Sequence, residues 1–242
     1  LLTATVGAEP LLPSVLEIHA SATSLHLHGH GFTGTIPSEI GLLTNLVSGL
    51  DLSHNSFTGP IPSEIGLLTA LTAYLHLDNN RLTSALPSQL GSLSSLGSFL
   101  VANTNSLRGS VPSELGRLTQ LSHTVNLCCN SLSGSLPTEL GALTQLSHSL
   151  FLMNNHFTGP IPTQMGLLTG MTAWLQLCCS SLTGRIPSQL GQLTAMQKHL
   201  TLFQNKLRGP IPSQLGRLTS MSSHLHVCCN DLSGAIPSEL GQ

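Results

Sequence analysis

The stretch "LTALTAYLHLDNNRLTSALPSQLG", residues 68–91, decides the fold, because near copies of it recur along most of the chain. The dipeptides Ile36-Pro37, Ile61-Pro62, Leu86-Pro87, Val111-Pro112, Leu136-Pro137, Ile161-Pro162, Ile186-Pro187, Ile211-Pro212 and Ile236-Pro237 are each 25 residues apart. Gly66, Gly91, Gly116, Gly141, Gly166, Gly191 and Gly216 keep the same period. A fixed period of this size is the mark of a solenoid. One unit cannot bury its leucines alone, and stacked units form a continuous core. Leu50, Leu75, Leu100, Leu150, Leu175, Leu200 and Leu225 form one core column, and Phe32, Phe57, Leu82, Leu107, Leu132, Phe157, Leu182, Leu207 and Leu232 form another. Asn55, Asn80, Asn105, Asn130, Asn155, Asn205 and Asn230 form a third, suited to turning the chain while bonding backbone that would otherwise be buried unpaired. His30 and Ser180 stand in that column in two units, where looser turns are expected.

The segments "LHLDNNRL" and "LTLFQNKL" resemble the leucine-rich-repeat core L-x-L-x-x-N-x-L, and "FTGPIPSEIGLLTAL" resembles the plant-type subclass L-x-G-x-I-P-x-x-L-G-x-L-x-x-L. The resemblance covers residues 24–242. It implies a leucine-rich repeat solenoid, α/β by convention but mostly strand, turn and 3-10 segments. It also implies a right-handed curved superhelix with a concave parallel sheet, short second strands near L-x-G-x-I-P, and binding of proteins, peptides or glycans. The expected organisation is one domain over 1–242, with a degenerate first repeat at 1–23 and about nine 25-residue repeats over 24–242, the last truncated. Plant-type repeats usually run 24 residues; here three residues, Thr72, Ala73 and Tyr74, separate Leu71 from Leu75. The small and polar neighbourhood of the extra residue suits a solvated bulge before the strand.

The chain has 242 residues, 7% of them charged, and a formal net charge of −2. Its scattered Lys and Arg form no phosphate-tracking stripe, so nucleic acid is not an expected partner. No apolar run reaches transmembrane length. "LLTATVGA", residues 1–8, has the character of the tail of a signal peptide. Location stays open between an extracellular one, the habit of the family, and a reducing one if the cysteines are free thiols.

Side chains alternate along a strand. With the leucines inward, the outward positions include Tyr74, His76 and Asp78; Phe99, Val101 and Asn103; Ser149, Phe151 and Met153; and Trp174, Gln176 and Cys178. Eight aromatic residues occur. Phe32, Phe57 and Phe157 fall in a core column. The other five, Tyr74, Phe99, Phe151, Trp174 and Phe203, all fall on outward strand positions, which marks a contact surface. Val101 and Met153 extend the candidate partner-binding set. The alternative is that the extra residue turns Tyr74, Phe99 and Trp174 under the sheet edge as core.

Cys128-Cys129, Cys178-Cys179 and Cys228-Cys229 lie 50 residues apart, hence two rungs. Rungs ~4.8 Å apart put the pairs roughly 10 Å from one another, whereas a disulfide needs Cα atoms within about 7 Å. No bridge between pairs is expected, and no zinc site joining them, because its thiolates must lie ~2.3 Å from one metal. Free thiols, a strained bridge within a pair, and a metal or cofactor remain as readings. His26, Asp51 and His76 form one row with ligand chemistry, and His199, His224 and His226 another; ordinary polar surface is the favoured reading, with no metal and no cofactor. No nucleophile elbow, P-loop, dinucleotide fingerprint or H-E-x-x-H motif occurs. The function expected is therefore non-catalytic: a scaffold binding protein partners on its concave face. The alternatives are a structural subunit of a larger assembly, or a glycan- or ice-binding protein whose Ser, Thr and Asn ladders present regular hydroxyls and amides.

Overall fold

The computed structural model describes residues 10–11 and 21–241. Most of the expected first repeat, residues 1–23, lies outside the described residues. Within it Pro10 bridges Thr33 in parallel, and Leu11 is buried.

Nine strands stack in one parallel sheet in chain order: Ser24–His26, Gly49–Asp51, Tyr74–His76, Phe99–Val101, Thr124–Asn126, Ser149–Phe151, Trp174–Gln176, His199–Thr201 and Leu225–His226. Register is strict at one repeat per rung, so Leu75 pairs with Leu50 and Leu100. The strands span only two or three residues because two inward leucines per rung, such as Leu75 and Leu77, are enough to anchor each one; both are fully buried. Each buried leucine contributes about 1.5–3 kcal/mol.

After each strand the asparagine closes the turn. The Asn155 amide donates to the carbonyls of Leu127, Leu152 and Met153 at 3.1, 3.1 and 3.2 Å, and its Oδ1 accepts from Leu132 N at 3.0 Å. One side chain thus ties a rung to the rung before it. Ser180 makes only one such bond, from its Oγ to Asn155 O at 3.2 Å, and His30 only one, to His28 O at 2.9 Å.

The chain then reaches the convex side. Short parallel pairings follow there, among them Arg108–Gly109, Ser131–Ser135 and His156–Thr158 in one three-stranded ladder. A Pro with φ near −65° then enters a 3-10 helix of five residues, such as Pro87 before Ser88–Ser92. The fixed proline φ supplies a helix-compatible entry without a wasted donor. Glycine at the fourth helical position lets rungs stack: a Cβ on Gly91 would lie 2.3 Å from the carbonyl oxygen of Glu114 in the next rung.

The extra residue forms a bulge before the strand, exposed at Ser48 and Lys198 and buried at Ala173. In some rungs its carbonyl accepts two successive amides of the next rung: Ala73 O takes Ser98 N at 3.0 Å and Phe99 N at 3.1 Å, and His148 O takes Ala173 N and Trp174 N. This is bulge geometry kept inside the ladder. The position is not always small, since His123, His148 and Lys198 occupy it.

Candidate functional site

The shared carbonyl sets where the rings go. Tyr74, Phe99 and Trp174 stand at outward strand positions and are half-buried. The Tyr74 ring covers Gly49 of the preceding rung so closely that a Cβ there would fall 2.2 Å from Cζ. Ser149, on the rung before Trp174 and paired with it, has no exposed surface. Small residues thus lie next to the rings at Gly49 and Ser149.

The rings form a continuous row. Centroids are 4.8 Å apart for Tyr74–His76, 6.0 Å for His76–Phe99, 4.4 Å for Phe99–His123, 4.4 Å for His123–His148 and 5.2 Å for His148–Trp174. Phe151 joins Trp174 at 5.9 Å. His123 and His148 are the members that alternation of side chains does not reveal, because they sit on the extra residue. A signal exists nonetheless. In each rung from Tyr74 to Trp174, one of the two positions before the first strand leucine carries a ring and the other is small: Ala73 with Tyr74, Ser98 with Phe99, His123 with Thr124, His148 with Ser149, Ala173 with Trp174. The ring shifts column, and the row continues.

Among the described residues the row breaks after Trp174. A second group follows, with His199–His224 at 5.1 Å, His224–His226 at 4.9 Å and Phe203–His226 at 6.1 Å. Phe203, Val101 and Met153 are half-buried on the concave face, Met153 beside the first row and Phe203 in the second group. Burial lowers the pKa of His148, as does His123 beside it; burial together with His224, His226 and Lys198 lowers that of His199. In both rings the shift favours the neutral form.

The polar end of the face lies at the early rungs. Burial raises the pKa of Asp51, but the His76 ring facing it and hydrogen bonds from Ser53 outweigh that and hold the carboxyl well below the usual carboxylate range. Ser53 N donates to Asp51 Oδ1 at 2.9 Å, and His76 Nδ1 lies 3.9 Å from Oδ2. His26 turns instead to the Tyr74 hydroxyl. Of the row His26, Asp51, His76 only the last two face each other, as an ion-pair contact, while His199, His224 and His226 stack on one another. Among the described residues no three His, Cys, Asp or Glu side chains are arranged to hold a metal ion.

All six cysteines are free. Cys128 and Cys178 are buried rather than open on the concave surface. Burial and the neighbouring thiol push both up to about 12.

The sequence pattern described as Leucine Rich Repeat matches residues 47–68 and 73–93. No curated protein matches the chain. Among solved structures, the Arabidopsis receptor kinase HAESA, in complex with the peptide hormone IDA and the co-receptor SERK1, is 33% identical with a TM-score of 0.84, over 96% of this chain and 38% of that one. PEPR1, in complex with AtPEP1, is 30% identical with a TM-score of 0.80, over 96% and 35%. A plant ice-binding protein is 25% identical with a TM-score of 0.75, over 96% and 71%. The chain thus spans little more than a third of the two receptor chains. The fold is that of a leucine-rich repeat solenoid. The chain is a leucine-rich repeat protein of the plant type.

Proposed function

We propose that this solenoid is a non-catalytic binding protein that holds a protein or peptide segment against its concave face, with the row from Tyr74 to Trp174 and Phe151 as the contact surface. The observation that carries the reading is the unbroken row of half-buried rings, which the leucine core does not need and which few charges interrupt. Exposed rings in a packed strip are what binding hot spots are made of. The complex of HAESA with the peptide hormone IDA supports the same reading for a chain of this fold. Val101, Met153 and Phe203 would border the contact. The test is to select peptides from a displayed random library on the native chain and re-measure them on the Trp174→Ala, Phe151→Ala double variant. Affinity should fall by about 2 kcal/mol or more. Unchanged affinity on a folded variant would place the contact elsewhere.

A specific feature favours a second reading, binding to ice. Thr44, Thr69, Ser94, Thr119, Thr144, Thr169, Thr194 and Thr219 form an exposed hydroxyl column with one member per rung, hence ~4.8 Å apart. Beside it the hydroxyls of Thr72, Ser122, Ser147, Thr172 and Ser222 each donate to a carbonyl of the previous rung, which fixes their orientation. A regular, uncharged array suits a crystalline surface, and the ice-binding neighbour matches the chain over most of its own length. Thermal hysteresis that disappears in Thr119→Lys with Thr144→Lys would establish it; no hysteresis in the native chain would dismiss it.

A further inference from the structure

Strand alternation sends consecutive side chains to opposite faces, so adjacent cysteines in a strand keep their sulfurs apart. The three cysteine pairs escape that rule. The second member of each is in the left-handed region, with φ of 57°, 58° and 55° at Cys129, Cys179 and Cys229. That turn folds the second side chain back beside the first. Cys129 Sγ lies 3.2 Å from Cys128 Sγ, and the other two pairs repeat the same left-handed turn. The left-handed position itself belongs to the fold, since His54, Asn79, Thr104, Asn154 and Gln204 occupy it in other rungs. What is particular to these three rungs is that a second sulfur follows the first.

The geometry points to three preformed dithiol sites, Cys128/Cys129, Cys178/Cys179 and Cys228/Cys229, each chelating one soft thiophilic ion of the trivalent-arsenic class. The donors are sulfur alone, which selects soft ions over hard ones. Zinc in a structural site takes four donors, and no such group gathers here among the described residues. Two-coordinate copper(I) prefers its sulfurs on opposite sides of the metal, whereas these touch. Pyramidal trivalent arsenic bonds two adjacent sulfurs and keeps its third ligand outward, toward the side on which Cys129 and Cys179 are partly open. With an organic arsenoxide the step balances without an oxidant. Two sulfur–arsenic bonds form, the arsenic–oxygen bond breaks, and the oxygen leaves as water with the two thiol protons. This site is independent of the ring row, and neither reading depends on the other.

The experiment uses the full chain, kept reduced and then freed of reductant. Alkylation after unfolding should first count six thiols; fewer would mean bridged pairs and would overturn the proposal. Phenylarsine oxide is then added to the native chain and the adducts are counted by native mass spectrometry. Three phenylarsenic groups are expected, each with the loss of two hydrogens, stable to a large excess of a monothiol and removed by a small dithiol. Cys129→Asn should carry two. Asparagine already occupies the equivalent left-handed position at Asn79 and Asn154, each with φ of 53°, so this variant keeps the turn. Fewer than three groups on the native chain, an unchanged count in Cys129→Asn, or release by the monothiol would each overturn the assignment.

Discussion

The two sides of a rung obey different rules. On the convex side the same residues return rung after rung: a proline, Ser or Thr, Glu or Gln, an apolar residue, glycine. On the concave side no two of the strands are alike. Packing explains the contrast. At seven convex glycines, from Gly66 to Gly216, a Cβ would lie 2.2–2.5 Å from the backbone of the next rung, so nothing larger fits without spreading the stack. On the concave side the ladder needs only the inward leucines. The outward positions are free to carry an acid at Asp51, rings at Phe99 and Trp174, or thiols at Cys178. The residues that set the shape are thus separate from those that the shape leaves free to vary.

The sharpest way to break that separation is to compare rings from the two classes. Phe157 is 1% exposed in the core column. Phe157→Ala should cost about 3–5 kcal/mol of stability, read as a large fall in thermal midpoint, with peptide affinity little changed in the folded fraction. Trp174→Ala with Phe151→Ala should show the reverse, a loss of binding and a much smaller loss of stability. If the double variant melts as badly as Phe157→Ala, the row is core and the separation fails.

The asparagine column tests the same division at the turn. Asn155→Ala removes one buried side chain that makes four hydrogen bonds and leaves their backbone partners unpaired. At ~1–3 kcal/mol for a stranded buried group, its cost should approach that of emptying a core site. Ser180 offers the converse. Ser180→Asn restores the amide that the other rungs use and should raise stability by roughly 1 kcal/mol, measured by denaturant midpoint at unchanged slope. A destabilised Ser180→Asn would show that this rung is built around the shorter side chain.

Much of this was legible in the residues. The period placed the nine strands, the core columns and the asparagine turns, because each depends on spacing alone. Alternation assigns Tyr74, Phe99, Phe151 and Trp174 to outward strand positions. Two features did not follow. A bulge at the extra residue was expected, but spacing cannot show that its carbonyl serves two amides, as at Ala73 and His148, nor that His123 and His148 join the ring row. Likewise alternation cannot foresee that the cysteines of a pair touch, since that depends on a left-handed residue. The hint lay in the same column, where Asn79 and Asn154 are of the residue type that tolerates such a backbone.

At the early rungs the concave face should respond to acid. The folded-state pKa of Asp51 is lowered, so its contribution to stability is fully present above the ordinary carboxylate value of about 3.9 and is lost as pH falls through the folded value. Asp51→Asn should therefore melt below the native chain at pH 7, and the gap should close as pH drops below about 4. A gap that persists unchanged in acid would mean that hydrogen-bond geometry, and not ionisation, is what His76 and Ser53 supply.

The smallest effect expected comes from a position where the convex rule is broken. The L-x-G column places a glycine at positive φ in rung after rung, with φ of 72° at Gly59 and 73° at Gly109. Ser84 takes that place between them with φ of 68°. A left-handed backbone costs a residue with a Cβ roughly 1–2 kcal/mol, and glycine escapes that cost while losing more chain entropy on folding, about 0.5–1 kcal/mol. The two effects oppose, and the first is the larger. Ser84→Gly should therefore stabilise the chain, by no more than about 1 kcal/mol, seen as a small rise in denaturant midpoint. At Gly109 the reverse substitution, Gly109→Ser, should lower it by a similar amount, because the Cβ would stand 3.5 Å from Ala85 and meet no clash, leaving backbone strain as the whole effect. Equal and opposite shifts at the two sites would show that the column is chosen for its backbone and not for its contacts. A loss at Ser84→Gly would show instead that the serine side chain contributes something the glycines of the other rungs do without.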